Sequence, residues 1–588
     1  MHVFESKLDP LRELFPLGEL AARSAKAYGD LPVMRSLVDD NWEVWSYKDL
    51  HERVEAIAQW LISWGAKPGD NIAMVGENSR EWETTYLAVQ TAGCVCVPID
   101  RMLPAPGIRH ILADSESRLL FADENFLQML EEVESVHTLE ATVSLTGPSR
   151  RATYVFEDLY EQGRSLKAKF PELNIDNIAA ILYTSGTTGH SKGVMLTSRN
   201  ILSDAEGARR LYPLGPGDNF LSVLPVHHSF EATAGFVFPI FIGATITFSP
   251  SLAGPEIVAA IRDTKVTMMN GVPLLFEKMQ AGVLRNVRKA GKSKERLFNT
   301  MMKVVAFGEI FGLELGFPLF RSTREKAGLG TIKFFLSAGG PLDPEIGRFF
   351  NRFGLRTFQG YGLTETSPCT HLTTQWKIRH ECVGPTLPGV ECKILDPDAN
   401  GIGEVCIKGP NVFAGYYKNE EATKACFTED GWFRTGDLGI MHKDGHLQIT
   451  GRAKALIVTA GGKNVFPEEI EFYLNRARFI AESVVVGIKR KLGMGEEVGA
   501  LIYPDYEQID IHDEERGVKS TAEEIRRMIN DEVKKATKNI AEYKRIKAFR
   551  IFDSEFQKTT KRTIKRFLYS GDMVDLNGGG GKKISPQG

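Results

Sequence analysis

The chain has 588 residues, too many for one hydrophobic core, so we expect several domains. Its composition is that of an ordinary globular protein, and a net charge of -3 does not indicate a nucleic-acid partner. None of the seven cysteines forms a CxxC pair, which argues against a zinc site and a disulfide framework and fits a reducing cytoplasm.

The first 450 residues alternate short apolar runs with segments of helical periodicity. Segments 49–65 and 255–264 carry apolar residues at the spacing of a helix. The runs predicted to be strands are NIAMVGEN, CVCVPI, AAILYTSG, ATITF, KVTMMNGVP, KVVAFG (303–308) and IKFFLSAGG. Such alternation predicts α/β layers with largely parallel sheets, in which ligands bind at the C-terminal ends of the strands.

One long stretch, residues 232–255, carries no charged side chain and is long enough to span a bilayer. It also contains three Pro, three Gly and five Ser or Thr. We therefore expect a buried helix and strand here, and no membrane span.

The pattern changes beyond about residue 400, where segment 401–417 is rich in strand formers. Segment 439–451 predicts a hairpin with Asp444-Gly445 as its turn. Segment 466–477 predicts a helix that begins near Pro467. Thr521 and Glu524 have the spacing of a capping box, which predicts a helix over 521–537.

Residues 184–189 combine four hydroxyl side chains with two glycines, and Lys192 follows. Converging backbone N–H groups, hydroxyls and a lysine suit an anion with several oxygens. The spacing is not that of a Walker A loop. A flexible surface loop is the alternative interpretation, but apolar runs on both sides favour a phosphate site between two strands.

Three further motifs follow this loop in order, FQGYGLTETSP (358–368), GWFRTGDLG (431–439) and GRAKALIVTAGGKNVFPEEIE (451–471). Together the four motifs resemble those of the adenylate-forming superfamily, which comprises acyl-CoA synthetases, luciferases and adenylation domains. The resemblance covers about residues 30 to 570. The segments LPVHHSFEATAGF, NGVPLLFEKM and VTAGGKNVFPEEIE are most similar to bacterial medium- and long-chain fatty acyl-CoA synthetases.

The resemblance implies an α/β protein with a large N-terminal adenylation domain over 1–450. That domain would be built from layered, mostly parallel sheets, with a strand-rich subdomain over about 385–450. A hinge at 451–455 would lead to a small mobile α+β domain over 456–570. We expect the tail, 571–588, to be disordered.

The implied reaction is ATP-dependent activation of a fatty acid to acyl-AMP, followed by transfer to CoA with release of AMP. Mg²⁺ would assist at the phosphates. The implied partners are therefore the fatty acid, ATP and CoA, with no nucleic acid and no membrane span. Peripheral membrane contact and the choice between monomer and homodimer stay open, and a cytoplasmic location is expected.

The resemblance also assigns roles to individual residues. Glu365 would bind Mg²⁺ with Thr184 as a second ligand, and Lys454 would be the hinge residue. His228 would lie at the mouth of the carboxylate pocket, with His227 as its alternative. The residues implied in ATP binding are Thr184, Ser185, Gly186, Thr187, Thr188, Gly189, Lys192, Gly339, Gly340, Tyr361, Thr364, Asp437 and Arg452. Those implied in CoA binding are Gly461, Gly462 and Lys463.

The C-terminal segment EFQKTTKRTIKR departs from the family pattern, because Thr563 stands where relatives carry the catalytic lysine. Lys561 and Lys565 lie two residues to either side, and in an extended segment residues i and i±2 face the same way. We expect a working enzyme in which Lys561 or Lys565, or less favourably Arg562, takes this role.

Three alternatives to a fatty acid–CoA ligase remain. One is a ligase for an aromatic or branched acid, and another is an acyl-AMP ligase that serves a carrier protein. The third belongs to a different class, a nucleotide-binding protein that has lost catalysis through the change at Thr563.

Overall fold

The structure is a computed structural model that describes residues 13–129, 136, 138–185, 191–459, 463–489, 496–538, 540–558 and 564–569. The chain forms two compact units. Unit 1 comprises Met1–Lys393, Cys406–Phe433 and His442–Gln448. Unit 2 comprises Ile394–Val405, Arg434–Met441 and Ile449–Gly588. The predicted boundaries at 450 and 455 stay a prediction, and the tail 571–588 lies outside the described residues.

The strands of the described chain are β1 Pro32–Val38, β2 Asn41–Ser46, β3 Asn71–Val75, β4 Val95–Pro98, β5 Leu119–Ala122, β6 Ala141–Ser144, β7 Tyr154–Val155, β8 Ile178–Ser185, β9 Ser191–Thr197, β10 Asn219–Ser222, β11 Thr245–Phe248, β12 Met268–Gly271, β13 Phe334–Ser337, β14 Arg356–Tyr361, β15 His371–Leu372, β16 Glu391–Leu395, β17 Gly403–Lys408, β18 Gly415–Tyr416, β19 Phe433–Met441, β20 Leu447–Arg452, β21 Ile457–Val458, β22 Asn464–Val465, β23 Ile480–Lys489, β24 Glu496–Pro504 and β25 Ala548–Ile551.

Its α-helices are α1 Leu20–Tyr28, α2 Tyr47–Trp64, α3 Arg80–Thr91, α4 Ala105–Ser115, α5 Glu124–Leu127, α6 Phe156–Gly163, α7 Ser198–Leu211, α8 Phe238–Ile242, α9 Gly254–Thr264, α10 Pro273–Lys289, α11 Lys292–Glu309, α12 Gly316–Leu319, α13 Arg321–Lys326, α14 Pro344–Arg352, α15 Glu420–Ala425, α16 Pro467–Leu474, α17 Tyr506–Arg516 and α18 Ala522–Ala536.

Two eight-stranded sheets organise unit 1. The first has the order β15-β14-β13-β12-β10-β11-β1-β2, and its inner neighbours are parallel. The second has the order β18-β9-β8-β4-β3-β5-β6-β7, with antiparallel pairs at the β9 end. Each sheet packs on its own apolar core of helices and strands. The predicted α/β fold with largely parallel sheets is confirmed.

Unit 2 contains a smaller core in which α16 and α18 pack on the sheet β23-β24-β25. Pro467 opens α16, and Thr521 and Glu524 form the predicted capping box at the start of α18. A third sheet, β16-β17-β19-β20, contributes residues to both units. The predicted hairpin is confirmed, because β19 and β20 are joined by a turn that contains Gly445 at φ 80°.

Segment 303–308 was predicted to be a strand, and this is wrong, because it forms the last turns of α11. Phe298, Val305 and Gly308 are buried, while Val304 and Phe307 are exposed. Burial at intervals of three to seven residues is helical periodicity, which the short apolar run conceals when it is considered alone.

The uncharged stretch is buried over 232–248, as predicted, whereas Pro250 and residues 252–255 at its end are exposed. It forms most of a π-helix at Glu231–Val237, then α8 and β11. None of the described helices is both long enough and apolar enough to cross a bilayer.

Candidate active site

The carboxyl ends of four neighbouring parallel strands, β14, β13, β12 and β10, meet at one edge of the first sheet. Ser337, the last residue of β13, lies in register with Gln359, so Gly339 follows just beyond β13 while Tyr361 is the last residue of the adjacent strand β14. Gly339 has φ 80°, a conformation that favours glycine, and both Gly339 and Gly340 are exposed. Gly339, Gly340 and Tyr361, which were predicted to bind ATP, therefore lie at the edge where α/β sheets bind ligands.

The second sheet brings the described part of the phosphate loop beside Glu365. In the hairpin of β8 and β9, Thr184 lies opposite Lys192. The Nζ atom of Lys192 is 5.1 Å from the ring centroid of Tyr416, a cation–π distance. The Tyr416 hydroxyl donates a hydrogen bond of 2.8 Å to Oε1 of Glu365. Tyr416 thus connects the predicted phosphate lysine to the predicted metal ligand.

Tyr416 itself was missed by the sequence analysis. It lies on the short strand β18, which pairs with β9 so that Tyr416 faces Val194 in register. Burial and the neighbouring Glu365 raise the pKa of its phenol, so it stays a hydrogen-bond donor at neutral pH. Its only signal in the sequence is an aromatic pair at the end of a strand-rich segment.

Glu365 is held in place by its backbone. Thr364, Glu365 and Thr366 form a single 3-10 turn after β14. The backbone N–H of Phe413 donates to the carbonyl oxygen of Glu365 at 2.9 Å. The hydroxyl oxygens of Thr364 and Ser229 are 3.5 Å apart, so the turn meets the loop that carries His227 and His228.

The two histidines of that loop lie next to Asp100. Nε2 of His227 is 3.3 Å from Oδ1 of Asp100, and the ring centroids of His227 and His228 are 4.2 Å apart. His227 is buried, whereas His228 is half-buried. Within the described ranges, these three residues form the one group of His, Cys or acidic side chains close enough to hold a metal ion. The more accessible ring is that of His228, the residue preferred for the carboxylate pocket.

A buried pair of carboxyl groups adjoins the same sheet edge. Glu83 on α3 and Glu231 on the π-helix are both fully buried. Ser222 donates a hydrogen bond of 2.9 Å to Oε1 of Glu231. Neither carboxyl oxygen of Glu83 has a hydrogen-bond partner among the described residues. The sequence analysis did not single out either acid, since burial cannot be seen in an isolated Glu.

Burial raises the pKa of Glu231 to about 8, although hydrogen bonds from Ser222 and Asn270 act in the opposite direction. The pKa of Glu83 is raised as well, by burial and then by the charge of Glu231. Glu231 is thus largely neutral at neutral pH, and burial favours the neutral form of Glu83 as well. A π-helix is uncommon and often marks a functional position.

Glu231→Gln is expected to make the protein less sensitive to alkaline pH. A carboxyl whose pKa rises from 4.5 to about 8 on folding stabilises the fold fully below pH 4.5, and this contribution is lost as pH rises through 8. Glutamine keeps the shape and cannot ionise. Between those pH values the free energy of unfolding of the variant should rise relative to that of the parent protein by about 4–5 kcal/mol, because a pKa difference of one corresponds to about 1.4 kcal/mol.

Urea unfolding followed by circular dichroism across this pH range measures the difference. Glu256→Gln, at an exposed acid of α9, is the control for the same substitution at the protein surface. If the Glu231→Gln variant differs from the parent by a constant amount, Glu231 does not titrate in this range.

In unit 2 the structure brings Asp437 and Arg452 together. Asp437 on β19 is buried, and its Oδ1 lies 3.1 Å from Nε of Arg452 on β20. Arg452 is largely exposed. Its guanidinium thus balances the charge of Asp437, and both residues were predicted to bind ATP.

The residues predicted to form the hinge and to bind CoA also belong to unit 2. Lys454 is an exposed residue of the 3-10 turn Ala453–Ala455, between β20 and β21. The backbone N–H of Lys463 donates to the Thr459 hydroxyl at 3.1 Å. Several predicted site positions lie outside the described residues, namely Gly186, Thr187, Thr188, Gly189, Gly461, Gly462, Lys561 and Thr563, and so does the side chain of Ser185.

The C-terminal motif is described on both sides of residues 559–563. Lys558 pairs with Ile564 in an isolated antiparallel bridge. Nζ of Lys558 lies 2.5 Å from Glu482, and Arg566 donates to Glu471 at 2.5 Å. The described residues offer Lys565 no ion-pair partner. Lys558 and Arg566 therefore pair with acids of unit 2, whereas no described acid pairs with the side chain of Lys565.

Comparison with known proteins gives two family matches. The model described as AMP-binding enzyme matches residues 21–417, and that described as AMP-binding enzyme C-terminal domain matches residues 454–570. The long-chain-fatty-acid–CoA ligase FadD15 of Mycobacterium bovis is 31% identical over 90% of each chain. The chloroplastic long-chain-fatty-acid–acyl-carrier-protein ligase AEE15 of Arabidopsis thaliana is 28% identical over 87% of this chain and 79% of its own.

Two solved structures are similar to this chain in fold. The crystal structure of ATP-bound MatB from Rhodopseudomonas palustris is similar, with a TM-score of 0.72 at 25% identity over 94% of this chain and 98% of that one. A Mycobacterium tuberculosis fatty acyl CoA synthetase is similar in fold, with a TM-score of 0.63 at 22% identity over 95% and 97% of the two chains.

Proposed function

The chain belongs to the AMP-binding enzyme family, and from this premise we propose that it is an AMP-forming ligase of long-chain fatty acids and CoA. The carboxylate displaces pyrophosphate from the α-phosphate of ATP to give acyl-AMP, and the thiol of CoA then displaces AMP to give the thioester. The observation that carries the proposal is the 31% identity to FadD15 over 90% of each chain. The assembly of Lys192, Tyr416 and Glu365 at the predicted phosphate loop supports it.

The first half-reaction brings a carboxylate to a triphosphate, so the site must offset negative charge. Lys192 faces the β- and γ-phosphates, and Thr364 donates its hydroxyl to the α-phosphate. The acid enters past His228. Because the carboxylate is itself the nucleophile, these residues act by position and charge, and no covalent intermediate with the protein is required.

Glu365 and Thr184 fit a magnesium ion. Mg²⁺ prefers one or two protein oxygens and completes its shell with water and phosphate. Glu365 offers a half-buried carboxylate whose Oε1 is oriented by Tyr416 at 2.8 Å. When bound, the ion supplies positive charge against the phosphate oxygens.

Unit 2 serves the nucleoside and CoA. Asp437 accepts hydrogen bonds from the ribose hydroxyls, and Arg452 contacts the ribose or a phosphate. Lys454 is the hinge residue at which the chain changes conformation between the two half-reactions. Lys463, together with Gly461 and Gly462, contacts the pantetheine arm of CoA. A cytoplasmic location, the domain boundaries and the choice between monomer and homodimer stay predictions.

The substrate class is tested by pyrophosphate release over a panel of acids. Fatty acids of roughly eight to eighteen carbons should react better than acetate or benzoate, because each buried CH₂ contributes about 0.8 kcal/mol. Thioester should appear with CoA as the acceptor.

Each other outcome selects an alternative. Faster turnover of benzoate or a branched acid would identify a ligase for that acid. Similarity to AEE15 makes acyl carrier protein the acceptor to compare with CoA. Nucleotide binding without pyrophosphate release for any acid would identify the non-catalytic binder.

A further inference from the structure

The helical hairpin of α10 and α11, together with the segment that follows it to Leu319, carries an exposed apolar surface, here named the hairpin surface. Among the described residues, 21 large hydrophobic side chains are exposed, and eight of them lie between 297 and 319. They include every exposed phenylalanine of that set. The members are Leu297, Val304, Phe307, Ile310, Phe311, Leu313, Phe317 and Leu319.

Helix α11 has two apolar faces. Phe298 and Val305 are buried, and the Phe298 ring packs against Phe320 at a centroid distance of 5.2 Å. Leu297 and Val304 recur one heptad apart on the exposed side. One apolar stripe suffices to attach a surface helix to a core, so the second stripe is not explained by folding.

The exposed stripe ends in an aromatic tip. Phe307 is 65% exposed and Phe311 is 66% exposed, and their rings meet edge to face at 5.3 Å. Ile310, between them, is 75% exposed. Large apolar side chains that are clustered and exposed promote aggregation in water unless they bind an apolar partner.

The hairpin is basic, although the whole chain has a net charge of -3. Residues 273–309 contain eight Lys or Arg and three Glu, a net charge of +5. Lys303 is exposed next to Val304 and one turn before Phe307. The two acids that flank residues 310–313 in the sequence are already paired, Glu309 with Arg352 and Glu314 with Arg356.

We propose that the hairpin surface docks on an anionic phospholipid bilayer. Phenylalanine, leucine and isoleucine enter the boundary between headgroups and acyl chains, while the basic residues meet anionic headgroups. A second copy of the chain is a poorer occupant, since a two-fold contact would set two basic hairpins, each of net charge +5 over residues 273–309, against each other. The inference rests on exposure and charge, and it does not depend on the proposed substrate.

The test is flotation of the full chain with vesicles of phosphatidylcholine, alone or mixed with phosphatidylglycerol. The parent protein should float with the mixed vesicles only, and high salt should weaken this binding. Phe307→Ser/Phe311→Ser should bind the mixed vesicles at least about tenfold more weakly. Lys292→Glu/Lys294→Glu should weaken binding without removing any apolar group.

The matched control is Met102→Ser/Leu252→Ser, which removes two equally exposed apolar side chains outside the hairpin surface. It should float like the parent protein. Circular dichroism checks that every variant is folded. Equal flotation of the parent and the phenylalanine variant would overturn the proposal, and so would a dimer in sedimentation analysis that only the phenylalanine variant dissociates.

Discussion

Glu365→Gln is expected to lower the rate of acyl-AMP formation by at least about 10²-fold at limiting Mg²⁺ and to raise the Mg²⁺ concentration needed for half the maximal rate. Substitution of partners that only orient a metal ligand typically costs about 10–100-fold, and loss of the ligand's own charge should cost no less. The amide retains the size and the hydrogen bond from Tyr416, so folding should be unchanged.

Two further variants separate charge from orientation. Tyr416→Phe removes the hydrogen bond to Glu365 but retains the carboxylate and the ring beside Lys192, so it should show a smaller shift in the same direction. Glu420→Gln, at an exposed acid of α15, should behave as the parent protein. A wild-type dependence on Mg²⁺ in Glu365→Gln would show that Glu365 is not the ligand.

The large features of the fold could be predicted because short segments of the sequence determine them. Alternation of apolar runs and helical segments gave the layered α/β sheets, and the order of four motifs gave the adenylate-forming superfamily, which the family matches confirm. Pro467 and the pair Thr521 and Glu524 marked helix starts through cap chemistry, which depends on a few neighbouring residues.

What could not be predicted depends on residues distant in sequence. Segment 303–308 has the composition of a strand, but its place at the end of α11 is decided by packing against Phe320 and its neighbours. Tyr416 reaches Glu365 because β18 pairs with β9, across more than 200 residues of chain. Glu83 and Glu231 become an unusual pair only when both are buried.

Replacing Lys561 and Lys565 together by alanine is expected to lower the rate of acyl-AMP formation by about 10²–10³, the typical loss of one electrostatic donor in an active site. Relatives use a lysine where this chain has Thr563, and threonine carries no charge. The described residues give Lys565 no ion-pair partner, whereas Lys558 is engaged by Glu482 at 2.5 Å.

Thioester formation from supplied acyl-AMP does not need this charge, so the double variant should retain the second half-reaction. Lys558→Ala is the control, because its ammonium already pairs with Glu482 and Glu555, and it should leave both half-reactions near the parent rates. Separate Lys561→Ala and Lys565→Ala variants assign the role. Should the parent protein form no acyl-AMP until Thr563→Lys is introduced, no neighbouring lysine replaces the missing one. The chain would then catalyse thioester formation only, or bind nucleotide without catalysis.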